Sequence, residues 1–136
     1  MRADLIVLSL ERAGEGCPDM AALVFRRLFG ERPELESMFR KNPRLVQGEM
    51  FARSIECILD YVGDRDYGGN MIAAEATTHD GYEVPRETFV LFFRVIVDSL
   101  RDLLGVDWTD DINAAWRELI SDLTICAAPA CEETQA

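Results

Sequence analysis

Residues 75–89 read EATTHDGYEVPRETF and contain the only histidine of the chain, His79. A short alanine-rich segment precedes His79, and Pro85 stands six residues after it. Proline suits the first turn of a helix, where its missing N–H leaves no hydrogen bond unmade. The stretch therefore predicts that His79 ends one helix and that the connector DGYEV separates it from the next helix, which Pro85 opens.

Helical periodicity continues on both sides of this stretch. After Pro85, apolar residues recur every three or four positions up to Gly105, and they are Phe89, Phe92, Phe93, Ile96, Leu100 and Leu104. Thr109 is a predicted N-cap for a last helix whose buried face comprises Ile112, Trp116, Leu119 and Leu123. Earlier helices are predicted over 3–12, from Pro18 to Phe29, over 34–39, over 48–62 and over 71–79.

The pattern thus predicts an all-α protein of about seven helices packed around one core. With 136 residues, the chain has the length of a single domain over 1–136. We expect the packed core to extend from about residue 5 to residue 124, and residues 127–136 to form a flexible tail.

The charge balance excludes several classes of partner. The chain has 14 basic and 25 acidic side chains, a net charge of -11, which repels phosphate backbones and anionic lipids. No apolar run approaches the roughly 20 residues of a membrane span, and the first residues do not resemble a secretory signal. We therefore expect no nucleic-acid partner, no membrane partner and a cytoplasmic location.

The sequence contains no familiar catalytic constellation. It has neither a GxSxG motif nor a phosphate-binding glycine loop, and its acidic residues are spread over solvated helix faces. The cysteines lack a CxxC pair and are expected to be reduced, with a thiol switch between the last two as an open alternative; they are Cys17, Cys57, Cys126 and Cys131. A lone histidine is, by itself, most often a satisfied or exposed polar residue.

Three segments in register nevertheless resemble those of globins. VFRRLFGERPELESMF at 24–39 is similar to the second and third globin helices, and THDGYEVPRETF at 78–89 resembles the proximal histidine and the start of the seventh helix. LLGVDWTDDINAAWREL at 103–119 is similar to the join between the last two helices. The resemblance extends over nearly the whole chain and implies a globin fold that holds haem b and binds the gases O2, CO and NO.

Carried over residue by residue, the resemblance implies a haem site. His79 corresponds to the proximal iron ligand, Phe39 to the phenylalanine against the porphyrin, and Phe25 to a distal-side residue. Val84 and Phe89 are expected to contact the cofactor after the histidine. A single neutral imidazole suffices for such a site when an acceptor orients its other nitrogen.

The distal position falls on Met50, or on Phe51 if the register shifts by one residue, and neither donates a hydrogen bond. We expect an apolar distal wall made by Phe25, Met50, Phe51 and Ile55, which would hold oxygen loosely. Gln47 lies one turn earlier in the sequence and would reach the iron only if this helix entered the site differently. The sixth iron position is then empty, occupied by water or bound by the Met50 thioether, and we predict five-coordinate ferrous iron.

Two positions depart from the globin pattern. Phe89 stands where the globin domains of flavohaemoglobins have a tyrosine that helps to polarise the histidine. We therefore expect ligand binding or gas sensing ahead of catalysis, with incidental NO dioxygenase activity as an open alternative. Glu75 stands where most globins carry a leucine against the porphyrin. The second departure favours an alternative, a haem-free globin-like module of a stress-signalling system, and a helical domain without any ligand is a third interpretation.

The resemblance leaves the partners and the assembly open. A reductase with a basic face would suit the acidic surface of the chain. Both a monomer and a homodimer are compatible with the sequence.

Overall fold

A computed structural model describes residues 2–63 and 68–128. Within these ranges the chain forms six α-helices, which are α1 (Ala3–Gly16), α2 (Met20–Glu31), α3 (Pro43–Gly63), α4 (Gly68–Gly81), α5 (Arg86–Leu104) and α6 (Asp110–Cys126). Two 3-10 helices, Pro33–Met38 and Gly105–Asp107, follow α2 and α5. The predicted all-α, single-domain architecture is confirmed. The seven predicted helices are all present in the described ranges, and the short 3-10 helix Gly105–Asp107 is an addition to them.

Several helix ends differ from the predicted ones. α3 begins at Pro43, five residues before the predicted start at Gly48. Proline is compatible with the first turn of a helix, and Asn42 before it adopts a left-handed conformation with φ of 47°. α1 likewise continues past its predicted end at residue 12 and ends at Gly16.

The flexible tail predicted over residues 127–136 does not begin at Ala127, because this residue is packed against the core. Ala127 is buried, and its carbonyl accepts a hydrogen bond of 2.5 Å from Nη1 of Arg86 at the start of α5. The rest of the predicted tail, residues 129–136, lies outside the described part of the chain.

The core is built around α5. Ten residues of this helix are buried, and the helix contacts α1, α2, α4 and α6. Val95, Ile96 and Leu100 are completely inaccessible to solvent. Burial of an aliphatic side chain of this size stabilises a fold by about 1.5–3 kcal/mol, so α5 is the element that holds the other helices together.

Two helix N-termini have the side-chain caps that their sequences favour. The Asp19 carboxylate accepts a hydrogen bond from the backbone N–H of Ala22 in α2, and the Thr109 hydroxyl accepts one from Ile112 in α6. Such caps satisfy N–H groups that have no partner within the helix. No helix in the described ranges combines the length and the apolar character that a bilayer crossing requires.

A buried hydrogen-bonded chain connects the first helix to the last. Trp116, which is 1% exposed, donates from Nε1 to the hydroxyl of Ser9 at 2.8 Å. The Ser9 hydroxyl in turn donates to the Ile6 carbonyl at 2.8 Å. The prediction that Trp116 lies in the core of the last helix is therefore confirmed.

Replacing Ser9 with alanine should destabilise the fold, because it leaves the Trp116 N–H buried without an acceptor. We expect a loss of about 1–3 kcal/mol in the free energy of unfolding, measured by urea denaturation. Ser99→Ala is the matched control, since Ser99 is equally buried but its hydroxyl donates only to the Val95 carbonyl of its own helix. Equal losses in the two variants would contradict a special role for the Trp116 hydrogen bond.

Candidate functional site

A cavity of about 880 Å³ lies beside α5, enclosed by α2, the following 3-10 helix, α3 and α4. Its size falls within the ~300–1,000 Å³ that is usual for small-molecule and cofactor sites. Aromatic and aliphatic side chains dominate the lining from α2, the 3-10 segment and α5, namely Leu28, Leu35, Met38, Phe39, Phe89, Phe92 and Phe93. Polar groups enter from α3 and α4, so the cavity has an apolar body with a few convergent polar side chains.

His79 lines this cavity from the last turn of α4. Its Nδ1 atom lies 2.7 Å from the backbone carbonyl oxygen of Glu75, one turn earlier in the same helix. Because a carbonyl can only accept a hydrogen bond, Nδ1 carries the proton and Nε2 keeps its lone pair. The ring stands 5.1 Å from that of Phe89, centroid to centroid, so the imidazole has both a fixed tautomer and an aromatic neighbour.

α4 continues two residues beyond its predicted end at His79, to Gly81, and the shorter connector that follows is a tight turn that closes back onto the histidine. The His79 carbonyl accepts hydrogen bonds from the backbone N–H groups of Tyr82, at 3.0 Å, and Val84, at 2.9 Å. Glu83 takes the left-handed conformation, with φ of 65°, which allows the chain to reverse. The turn brings Val84 into the cavity lining beside His79.

The structure brings together five of the eight residues that the sequence predicts for the site: His79, Phe39, Met50, Val84 and Phe89 all line the cavity. The other three do not line it. Phe25 is fully buried behind the lining, with its ring 5.3 Å from that of Phe39 and 5.2 Å from that of Phe92. Phe51 and Ile55 are half-buried and pack against the core from α3.

The face of α3 that lines the cavity explains this difference. It runs through Met50, Arg53, Ser54 and Cys57, at spacings of three and four residues, whereas Phe51 lies one position further round the helix. The expected apolar wall therefore contains polar side chains that the sequence reasoning missed, Arg53 and Ser54. The helical spacing from Met50 was the signal that could have identified them.

The Arg53 and Ser54 side chains of this wall already have partners within the protein. Ser54 donates its hydroxyl hydrogen to the Met50 carbonyl at 2.8 Å. Arg53 donates from Nη1 to Glu56 at 2.9 Å, and its Nε lies 3.7 Å from a carboxylate oxygen of Glu75 on α4. The wall thus holds its donors in contacts within the protein.

Comparison with known proteins identifies the family. The model of the Globin family matches residues 22–126, which is most of the chain and includes both walls of the cavity. The chain belongs to the globin family. Its predicted fold is thereby confirmed as a globin fold.

The chain is also similar to a flavohemoprotein of Halalkalibacterium halodurans. The two are 24% identical over 106 residues, which cover 74% of this globin but 26% of the flavohemoprotein. The globin therefore spans about a quarter of the length of this curated relative. No solved structure matches the chain.

Glu75 occupies the position at which the family resemblance implies a leucine. In this globin its carboxylate forms an ion pair with Arg53. Its side chain is 32% exposed and faces Arg53 of α3 across the edge of the cavity. A carboxylate that keeps contact with water and with a guanidinium avoids most of the desolvation cost of an unpaired buried charge. The departure from the family pattern thus places a paired carboxylate, rather than an unpaired one, at position 75 of the cavity lining.

Cys57 completes the inner end of the α3 face. It is 1% exposed, and burial raises the pKa of its thiol to about 11, an effect that the nearby Arg53 guanidinium only partly offsets. The thiol is therefore protonated at neutral pH and behaves as a small apolar side chain.

Cys57 should resist alkylation by iodoacetamide at pH 8, because the thiolate is the nucleophile and the raised pKa lowers its fraction about a hundredfold relative to an ordinary thiol. Half-buried Cys17, between α1 and α2, is the internal control and should be modified faster. Mass spectrometry of the digested protein measures both rates in one sample. Equal rates at the two cysteines would contradict the predicted protonation of Cys57.

Proposed function

We propose that this globin binds haem b in the cavity beside α5, with His79 as the axial iron ligand. The bound haem would bind the diatomic gases O2, CO and NO reversibly, and the protein would serve in oxygen binding or transport or in gas sensing. The observation that carries the proposal is the orientation of His79. Its Nδ1–H is committed to the Glu75 carbonyl, so the Nε2 lone pair is available to a metal inside the cavity.

The surroundings of His79 suit a flat apolar macrocycle. The cavity volume is about 880 Å³, and phenylalanines line it from two directions, Phe39 after the 3-10 segment and Phe89 from α5. Aromatic side chains give large, rigid contact surfaces for such a group. When bound, haem supplies an iron centre for gas ligands, whereas the protein supplies the axial imidazole and the enclosing walls.

The α3 wall contains hydrogen-bond donors, but it still supports weak retention of oxygen because these donors are bonded to other groups of the protein. The Ser54 hydroxyl is used by the Met50 carbonyl, and the Arg53 guanidinium faces Glu56 and Glu75. A hydrogen bond to a charged acceptor would contribute about 1.5–3 kcal/mol to ligand binding, but these donors must first leave their present partners. We therefore retain the expectation that oxygen is held loosely while CO and NO bind well.

Replacing His79 with glycine should abolish the haem Soret absorbance of the reconstituted protein, and added imidazole should restore it. The reason is that this chain has no other histidine to replace the ligand. Titration of hemin into each variant, followed by absorbance, measures the effect. Asp80→Ala, which changes an exposed neighbour in α4, is the control and should bind hemin like the parent. An unchanged spectrum in His79→Gly would rule out the proposed ligand.

Met50 lines the cavity on α3, where its thioether could compete for the sixth iron position. We predict that the ferrous protein is nevertheless five-coordinate, because a methionine at a helical spacing most often serves as apolar packing. Spectra of the reduced parent and of Met50→Leu should both show high-spin iron. Low-spin bands that disappear in Met50→Leu would identify the methionine as a ligand and refute the prediction.

The presence of Glu75 in the cavity lining favours one second candidate, a haem-free globin module that senses or interacts through its core. The two functions differ in one measurement, because only the first requires the parent protein to take up hemin through His79. A parent without a His79-dependent Soret band would support the second candidate.

We further propose that the electron donor to the haem iron is a reductase with a basic docking face. The net charge of -11 favours encounter with a positively charged surface.

A further inference from the structure

Glu75 of α4 makes two contacts, one through its backbone and one through its side chain. Its backbone carbonyl accepts the Nδ1–H of His79 at 2.7 Å, and its side-chain carboxylate lies 3.7 Å from Nε of Arg53 on α3. Both Arg53 and His79 line the cavity, from facing helices. One residue therefore connects the wall that carries the imidazole to the wall opposite it.

We propose that Glu75 is a positioning residue that couples Arg53 to the tautomer and orientation of His79. The inference rests on the proposed function, in which His79 binds iron through Nε2. In this arrangement the ion pair anchors α4 to α3 at the residue whose carbonyl holds the imidazole. Any change that removes Arg53 from Glu75 then alters the tautomer ratio and orientation of the His79 ring, although Arg53 does not touch the histidine in the described contacts.

The physical basis is a competition between two forms of the neutral imidazole. Only the form protonated at Nδ1 can donate to the Glu75 carbonyl and leave Nε2 free for a metal. When Arg53 no longer holds the carboxylate, the turn of α4 that precedes His79 loses a contact with α3. The His79 hydrogen bond then becomes less constrained, and the form protonated at Nε2 gains population.

The size of the effect is limited by the exposure of the pair. The Arg53 and Glu75 side chains are 46% and 32% exposed, and ion pairs of this kind contribute little because solvent screens them. We therefore expect the ratio of the two imidazole forms to change by up to about fivefold when the pair is lost. Glu56 is the other carboxylate bonded to Arg53, but it lies on α3 and makes no connection to α4 in the described contacts.

The test uses nitrogen NMR of the haem-free protein at a pH where the imidazole is neutral. Because the chain has one histidine, its ring nitrogens give an unambiguous signal that reports the two forms directly. The variants are Arg53→Met, Glu75→Gln and the double variant, and Glu56→Gln is the matched control. Circular dichroism verifies that each variant is folded.

Coupling through Glu75 predicts that both single substitutions shift the ratio towards the form protonated at Nε2, and that the double variant shifts it no further than Glu75→Gln alone. Glu56→Gln should leave the ratio as in the parent. Direct electrostatics gives a different result, since removing a positive charge and removing a negative charge act in opposite directions. Opposite shifts, additive shifts or no shift in Arg53→Met would each overturn the inference.

The hemin titration separates this inference from the proposed function. If the parent takes up hemin through His79 but Arg53→Met has the same ratio of imidazole forms as the parent, the proposed coupling is wrong and the proposed function stands. If the parent shows no Soret band that depends on His79, the proposed function fails, whatever the imidazole ratio does.

Discussion

Burial of the apolar face of α5 is the constraint on which the rest of this globin depends. Phenylalanines dominate the first half of the helix and aliphatic residues the second, and the two halves serve different purposes. The aliphatic half, with Ile96 and Leu100 inaccessible to solvent, packs into the closed core of the protein. In the first half, Phe89, Phe92 and Phe93 line the cavity while also being buried. One helix therefore contributes both to the core and to the wall of the cavity.

A network of aromatic rings keeps that cavity defined. Phe25 lies within 5.3 Å of the rings of Phe39 and Phe92, and Phe89 and Phe93 pack edge to face at 5.6 Å. Rings in such contacts have little rotameric freedom, and their geometry adds to the energy of simple burial. Phe25 thus supports the site from behind the lining rather than from within it, which differs from the contact that the family resemblance implied.

The chemistry of the site is concentrated in α4 and in the turn that follows it. The turn closes on the His79 carbonyl, while the Glu75 carbonyl holds the His79 ring, so that backbone groups fix the histidine from both sides. Backbone carbonyls inside a helix are among the most rigid acceptors that a protein offers. An imidazole held in this way is oriented by the backbone alone and needs no side-chain partner for its Nδ1 atom.

The sequence by itself determined the helices, the placement of His79 before a tight connector, the core position of Trp116 and the likeness to globins. These features follow from local spacing, since helical periodicity and proline position act over a few residues. The start of α3 at Pro43 was harder to predict, because proline is compatible both with a break and with a first turn. Only the tertiary structure decided which side of α3 faces the cavity. It placed Arg53 and Ser54 in the cavity lining, whereas Phe51 and Ile55 pack against the core beside it, and it brought Arg53 to Glu75, 22 positions away in sequence. Contacts of that kind depend on how two helices pack against a third, and the rotation of a helix about its axis is set by all of its neighbours together.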